Sequence, residues 1–184
     1  SKDPDIKKIE SDKRYDLLMT KYFSDKDKKV EKLIIKSDEA FDKERYKKAL
    51  SFINKAEKLE KESPYVSPYA LGVIYDYKKA LFGFHQLNNL NKFLEYSNEA
   101  IKYFTEIGKT SQVAKVHEAI GLNYKGYENK EKFLYHYNKA FKIWEKHNNN
   151  QNLANNRYDI LFFQFSPLNN TFIKNNDYFD YFEE

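Results

Sequence analysis

Histidines are the residues of this 184-residue chain best suited to bind a metal ion or to transfer protons near neutral pH. His117-Glu118 begins like the zinc motif H-E-x-x-H, but position 121 is Gly, so the second histidine ligand is missing. His136 and His147 are eleven residues apart, which is about three helical turns and too far for one metal ion. The spacing of the histidines therefore predicts no metal site.

The motifs of phosphate-binding and hydrolytic enzymes are also missing from the sequence. It has no G-x-G-x-x-G, no Walker loop and no G-x-S-x-G, and five glycines in all make a phosphate cradle hard to build. There is no cysteine, which excludes thiol nucleophiles, disulfides and cysteine-ligated metals. Carboxylates alternate with lysines, as they do on solvated helix faces. We predict that the chain is not an enzyme and uses no cofactor, with a cryptic hydrolase or metal enzyme as the alternative.

Charge and hydropathy argue against two further classes of function. The chain carries 32 Lys and Arg against 28 Asp and Glu, a mild net charge of +4, and only three of the basic residues are Arg. Its most basic block, residues 26–36, is interrupted by acidic residues and is interpreted as a solvated helix face. We predict no nucleic-acid binding by this segment, because a concentrated basic face is typical of such proteins. The sequence has no apolar run of about 18 residues, the length that a membrane-spanning helix needs.

The ends of the sequence bear on where the protein works. The first residue is Ser1 rather than Met, and no signal peptide is recognisable, so a trimmed or processed chain is expected. The compartment stays open, with the cytoplasm slightly favoured and an extracytoplasmic location expected if a signal or anchor was removed. Nothing in the sequence predicts an oligomeric state.

One stretch of sequence occurs three times and predicts the architecture. It reads as a small or aromatic residue, Leu, three variable residues, Asn, a charged residue and Ala, at residues 49–56, 93–100 and 133–140. The copies begin 44 and 40 residues apart, and self-similarity at such a period indicates stacked helical repeats. The amide of each recurring asparagine is expected to bond a backbone group or a neighbouring helix rather than a ligand. These residues are Asn54, Asn98 and Asn138.

Apolar spacing and turn signals divide the chain into helices. Ser24, followed by two acidic residues, predicts a helix start. Ser67-Pro68 predicts another, and Gly108 is expected to end a helix. The predicted segments are a capping helix at 1–24, hairpins at about 25–62, 67–108 and 111–148, a half repeat at 151–166, and a tail or short helix at 167–184.

The third repeat resembles a tetratricopeptide repeat. Gly121, Tyr124, Tyr137 and Ala140 stand where that consensus has a small residue, Tyr, an aromatic residue and Ala. Phe133 replaces the first Ala of the consensus. In this family small residues stand where two helices approach closely, and large residues fill the space between repeats.

The other two repeats resemble the consensus less completely. The first matches it through Tyr46, Ala49 and Ala56, and the second keeps Ala100 but has Leu81, Phe84 and Phe93 where smaller or different residues are usual. The resemblance covers about residues 30–165. It implies an all-α fold, an α-α superhelix (TPR-like solenoid) of about three to four helical hairpins. The periods exceed the usual 34 residues, and similar long repeats occur in bacterial peptide-sensing regulators and bacterial sensor segments.

The resemblance also implies a function in binding. In tetratricopeptide arrays the first, or A, helix of each hairpin lines a concave groove, and the second, or B, helix supports it. A non-enzymatic module that binds a protein or peptide is therefore expected. The alternative is a regulatory sensor region of a bacterial signalling or transcription regulator whose effector domain is absent from this chain. The implied groove residues are Ile34, Asp38, Phe41, Tyr75, Lys78, Phe82, His85, Lys115, Glu118, Leu122, Lys125, Tyr158 and Phe162.

The aromatic residues of this set leave two interpretations open. If Tyr75, Phe82 and Tyr158 face outward, they indicate a contact surface. Otherwise the C-terminal tail or a neighbouring helix packs over them. Binding of chaperone C-terminal carboxylates, a property of one subclass of the family, is not expected, because only Lys115 fits the subclass at the matching positions Ile34, Asp38, Lys79, Lys115 and Ala119.

Overall fold

The structure, a computed structural model, describes residues 13–147, 151, 152, 154 and 155, with side chains from residue 25 onward. Its described part contains six helices and no strand, and consecutive helices pair as three hairpins, so the predicted all-α helical-repeat fold is confirmed. The helices are α1 (Lys13–Asp42), α2 (Tyr46–Lys61), α3 (Pro68–Leu81), α4 (Leu90–Glu106), α5 (Thr110–Gly126) and α6 (Lys130–Lys146).

The chain divides into two compact units, residues 1–109 and 110–184. The first unit holds the hairpins α1–α2 and α3–α4, and α2 also packs on α3. The second unit holds the hairpin α5–α6. The predicted half repeat and tail lie outside the described residues, apart from the helical residues 151, 152, 154 and 155.

The helix start predicted at Ser24 is wrong. α1 runs without a break from Lys13 to Asp42 and passes through Ser24 and its acidic neighbours. A Ser-Asp pair marks a helix start only where the residues before it are not helical. No Gly or Pro stands between positions 13 and 42 to interrupt the helix. One helix therefore continues across the boundary that was predicted at residue 24.

Side-chain caps begin α3, α4 and α6. The Ser67 hydroxyl accepts a hydrogen bond from the Ala70 N–H at 3.2 Å, with Pro68 at the first helical position, as predicted. Asn89 and Asn129 cap α4 and α6 in the same way. Gly108, predicted to end a helix, follows α4 with a φ of +68°, a conformation that costs glycine little.

Small residues let the paired helices approach closely. Ala49, Ala56, Ala100 and Ala140 are fully buried, as expected for the repeated motif. Gly121 lies directly against the ring of Tyr137, so that a methyl group added to it would overlap that ring. The fold therefore uses the motif to set helix contacts, in agreement with its interpretation from the sequence.

A buried ion pair holds the first hairpin and the loop after it. Lys26 on α1 donates hydrogen bonds to Glu60 Oε1 on α2 at 2.9 Å and to the Tyr65 carbonyl at 3.1 Å. The same Glu60 oxygen accepts from the Ser67 N–H at 2.5 Å. Glu60 is wholly buried, and its second oxygen has no hydrogen-bond partner in the described part of the chain. The loop from α2 to α3 is thus tied to the hairpin by one carboxylate.

Candidate binding surfaces

The A helices of the three hairpins are α1, α3 and α5, and the predicted groove residues lie on them or directly after them. On α1, Asp38 is exposed, whereas Ile34 is half-buried. Phe41 is half-buried and packs edge-on against Tyr46, with ring centroids 5.5 Å apart. Among the described side chains of α1, the exposed large apolar one is Ile35, one position after the predicted residue Ile34.

The predicted groove residues of α3 are buried. Tyr75, Lys78 and Phe82 all face neighbouring helices, and only His85, in the turn after α3, is exposed. Tyr75 stacks on Tyr103 and Tyr96 of α4 at centroid distances of 5.7 and 6.0 Å. Of the two interpretations of Tyr75 and Phe82, the structure shows the second, in which a neighbouring helix packs over them.

The Glu57 carboxylate on α2 binds the buried side chains Tyr75 and Lys78 of α3. Glu57 accepts hydrogen bonds from Lys61 at 2.8 Å, from the Tyr75 hydroxyl at 2.7 Å and from Lys78. Burial would raise the pKa of Glu57, but these hydrogen bonds outweigh it and lower the pKa to about 2. Burial, with the Glu57 carboxylate beside it, raises the pKa of Tyr75 to about 12. Lys78 lies over the rings of Tyr75 and Tyr96 at 5.8 and 5.2 Å, a cation–π arrangement.

The predicted groove residues of α5 lie on an accessible side of the helix. Lys115 and Leu122 are exposed, and Glu118 and Lys125 are half-buried. Glu118 accepts a hydrogen bond from Trp144 Nε1 on α6 at 2.8 Å, which holds its carboxylate against the hairpin. The two remaining predicted residues, Tyr158 and Phe162, lie outside the described residues.

A histidine pair joins α5 to α6, and the sequence did not predict it. His117 Nδ1 and His136 Nδ1 are 3.1 Å apart, and the ring of His136 also stacks on Tyr124 at 5.9 Å. Burial lowers the pKa of both histidines to about 4, helped by the cationic Lys139. A helical hairpin with its turn before Lys130 predicts that positions 117 and 136 lie near each other. It does not predict that the two imidazole rings are in contact.

The recurring asparagines do not make the bonds expected of them. Asn54 and Asn98 are exposed and Asn138 is half-buried, all on B helices. None of the three makes a side-chain hydrogen bond to another described residue. The expectation that each amide bonds the backbone or a neighbouring helix is therefore wrong for the described part of the chain.

Two structural features that would indicate other functions are absent from the described residues. These residues contain no group of three or more His, Asp or Glu side chains arranged to hold a metal ion. None of their helices combines the length and the apolar character needed to cross a membrane.

Comparison with known proteins supports the fold. No family model matches this sequence, and no curated protein matches it. Among solved structures, the chain is similar to the crystal structure of BtubC (BKLC) from P. vanneervenii, with a TM-score of 0.61 and 19% sequence identity. The similarity covers 75% of this chain and 56% of BtubC, so the chain spans little more than half the length of that protein. At this level of identity the likeness shows a helical-repeat-like, all-α fold alone.

Proposed function

We propose that this chain is a tetratricopeptide-like module that binds a peptide or a protein surface through the exposed sides of its A helices. The observation that carries the proposal is that, among the described side chains, each A helix has one large apolar residue that is about half exposed. These are Ile35 on α1 at 50%, Tyr69 on α3 at 50% and Leu122 on α5 at 49%. Among the described side chains of the B helices, only Tyr135 on α6 is comparably exposed, at 54%.

A single exposed apolar side chain is ordinary on a protein surface, but its recurrence on all three A helices favours a shared role. Burying such a side chain under a partner contributes about 25 cal/mol for each Å² of apolar area removed from water. Charged residues lie on the same helices, with Asp38 three residues after Ile35 and Lys115 seven residues, or about two turns, before Leu122. A surface of apolar anchors with charged neighbours can bind a peptide with affinity from the anchors and selectivity from the charges.

Peptide display tests this proposal without a known partner. Random 12-residue peptides are selected on the purified chain, and the dissociation constant of the best labelled peptide is measured by fluorescence anisotropy. For a peptide that binds the first unit, Ile35→Ser and Tyr69→Ser are each expected to weaken binding about 5- to 10-fold, the effect of losing roughly 1–1.4 kcal/mol at an apolar anchor. For a peptide that binds the second unit, Leu122→Ser is expected to have an effect of the same size. Tyr135→Ser is the matched control on a B helix, and it should leave binding within about twofold, well under 1 kcal/mol.

The charged neighbours give a second test on the same peptide. Lys115→Glu combined with Lys125→Glu should also weaken the binding of a selected peptide, if α5 contacts it. The proposal fails if the three apolar variants bind like the unaltered chain, or if Tyr135→Ser alone abolishes binding. Circular dichroism of each variant checks that the helices are retained.

A further inference from the structure

The outer face of α2 carries positive charge that no acidic residue of this helix offsets. α2 contains five lysines and two glutamates, and both glutamates turn inward. Glu57 is paired with Lys61 and Lys78, and Glu60 with Lys26. The four lysines of α2 other than Lys61 are exposed. In the described part of the chain one of them forms an ion pair, a surface contact from Lys58 to Glu62 at 3.7 Å. These exposed lysines are Lys47, Lys48, Lys55 and Lys58.

The same face presents an asparagine with free hydrogen-bonding groups. Asn54 is exposed, and its amide has no hydrogen bond within the described residues. It lines a shallow surface depression of about 480 Å³ together with half-buried Leu50 and three of the lysines. Asn is a poorer helix former than Ala, so its presence in the middle of α2 is not explained by helix stability.

These groups have complementary recognition chemistry. The asparagine amide offers one acceptor and two donor hydrogens, which match the N–H and C=O of a peptide backbone. Lysine ammonium groups around it would pair with carboxylates, and Leu50 offers apolar area. We propose that the outer face of α2, formed by Lys47, Leu50, Asn54, Lys55 and Lys58, binds an acidic protein segment. This face is separate from the A-helix residues, so the inference does not rest on the function proposed above.

The composition of the face favours a protein segment over nucleic acid. The face has no arginine and no exposed aromatic ring on which a base could stack. From Lys47 to Lys58 it extends about 16 Å along the helix, the length of a short peptide segment. The equivalent face of α4 has the same Leu-Asn spacing but carries Glu95 and Glu99 beside Asn98. On α6, Lys139 and Lys142 match Lys55 and Lys58, but Glu131 stands at the position of Lys47. Of the three B helices, α2 alone therefore has lysine at all three of these positions.

A labelled acidic peptide tests the proposal directly. The probe is a 12-residue fluorescein-labelled peptide, (Glu-Glu-Leu)4, and binding to the full chain is measured by fluorescence anisotropy at two salt concentrations. Lys55→Glu combined with Lys58→Glu should weaken binding about 10-fold or more. The matched control is Lys102→Glu with Lys109→Glu, two exposed lysines of the same unit. Both double variants lower the net charge from +4 to 0, because each Lys→Glu change removes two charges.

Asn54→Ala separates recognition by the amide from simple charge attraction. Since Ala is the better helix former, this variant should be at least as stable as the unaltered chain, yet bind the peptide about 3- to 10-fold more weakly. The proposal is overturned if the control double variant loses as much affinity as the α2 variant, or if Asn54→Ala binds unchanged. It is also overturned if the unaltered chain binds duplex DNA or phosphatidylserine vesicles more tightly than the acidic peptide.

Discussion

The Nδ1 atoms of His117 and His136 lie 3.1 Å apart, so one hydrogen bond between two neutral rings links α5 to α6. A hydrogen bond of this kind needs one ring to donate and the other to accept, which two protonated rings cannot do. The lowered pKa of both histidines, about 4 against an ordinary 6.5, agrees with that requirement.

Acid is expected to weaken the third hairpin through this pair. Between pH 6.5 and about 4 the unfolded chain binds more protons at these histidines than the folded chain does, so the free energy of unfolding falls as the pH is lowered through that window. Melting temperatures at pH 7, 5.5 and 4.5 should fall less for the double variant His117→Gln, His136→Gln than for the unaltered chain. His85→Gln, at an exposed histidine, is the control. A constant difference between double variant and unaltered chain across these pH values would contradict the prediction.

Loss of Lys26 should be among the most damaging single changes in the first hairpin. Lys26→Met leaves the buried Glu60 carboxylate without its cation, which typically costs about 3–5 kcal/mol. Lys26→Met combined with Glu60→Gln removes both charges and should recover much of that loss. Urea unfolding of the single and double variants measures the difference. If the double variant were no more stable than Lys26→Met, the ion pair would not be the cause.

Gly121→Ala tests the close approach of α5 and α6. The added methyl group would overlap the ring of Tyr137 and press on the Phe133 carbonyl, so a loss of about 1–3 kcal/mol from overpacking is expected. Combining it with Tyr137→Leu removes the ring atoms that the methyl group meets. The two changes together should therefore cost less than the sum of their separate costs, as measured in a double-mutant cycle by thermal or urea unfolding. Simple additivity would show that the ring is not what excludes a side chain at position 121.

Glu57→Gln tests the carboxylate that anchors α3 to α2. The variant loses charge-assisted hydrogen bonds to Lys61 and Lys78 and should be less stable by about 1–3 kcal/mol at pH 7. Because the pKa of Glu57 is lowered from 4.5 to about 2, its contribution is present above pH 4.5 and is lost as the pH falls toward 2. The difference between variant and unaltered chain should therefore shrink from pH 7 to pH 2.

The control for this measurement is Glu62→Gln on the surface. Its pair with Lys58 is exposed and 3.7 Å long, so its loss should change stability by no more than about 1 kcal/mol. An equal effect of the two substitutions would argue against a special role for Glu57.

Much of the fold could be predicted from the sequence because its signals are local. The period of apolar residues, the caps at Ser67 and Gly108, and the repeated alanines act within one helix or one turn, and the structure agrees with them. The wrong helix start predicted at Ser24 shows the limit of such signals, since a cap residue starts a helix only where the residues before it are not helical.

The sequence by itself determined that this protein is a set of helical hairpins held by small residues at fixed spacing, because a helix of 3.6 residues per turn places those residues on one side. The tertiary structure alone decided which sides of the helices meet solvent. Tyr75, Lys78 and Phe82 face inward because Glu57 on α2 and the tyrosines of α4 hold them there. His117 meets His136 for a similar reason. The rotation of each helix about its own axis depends on side chains that are distant in sequence, so no local sequence pattern predicts it.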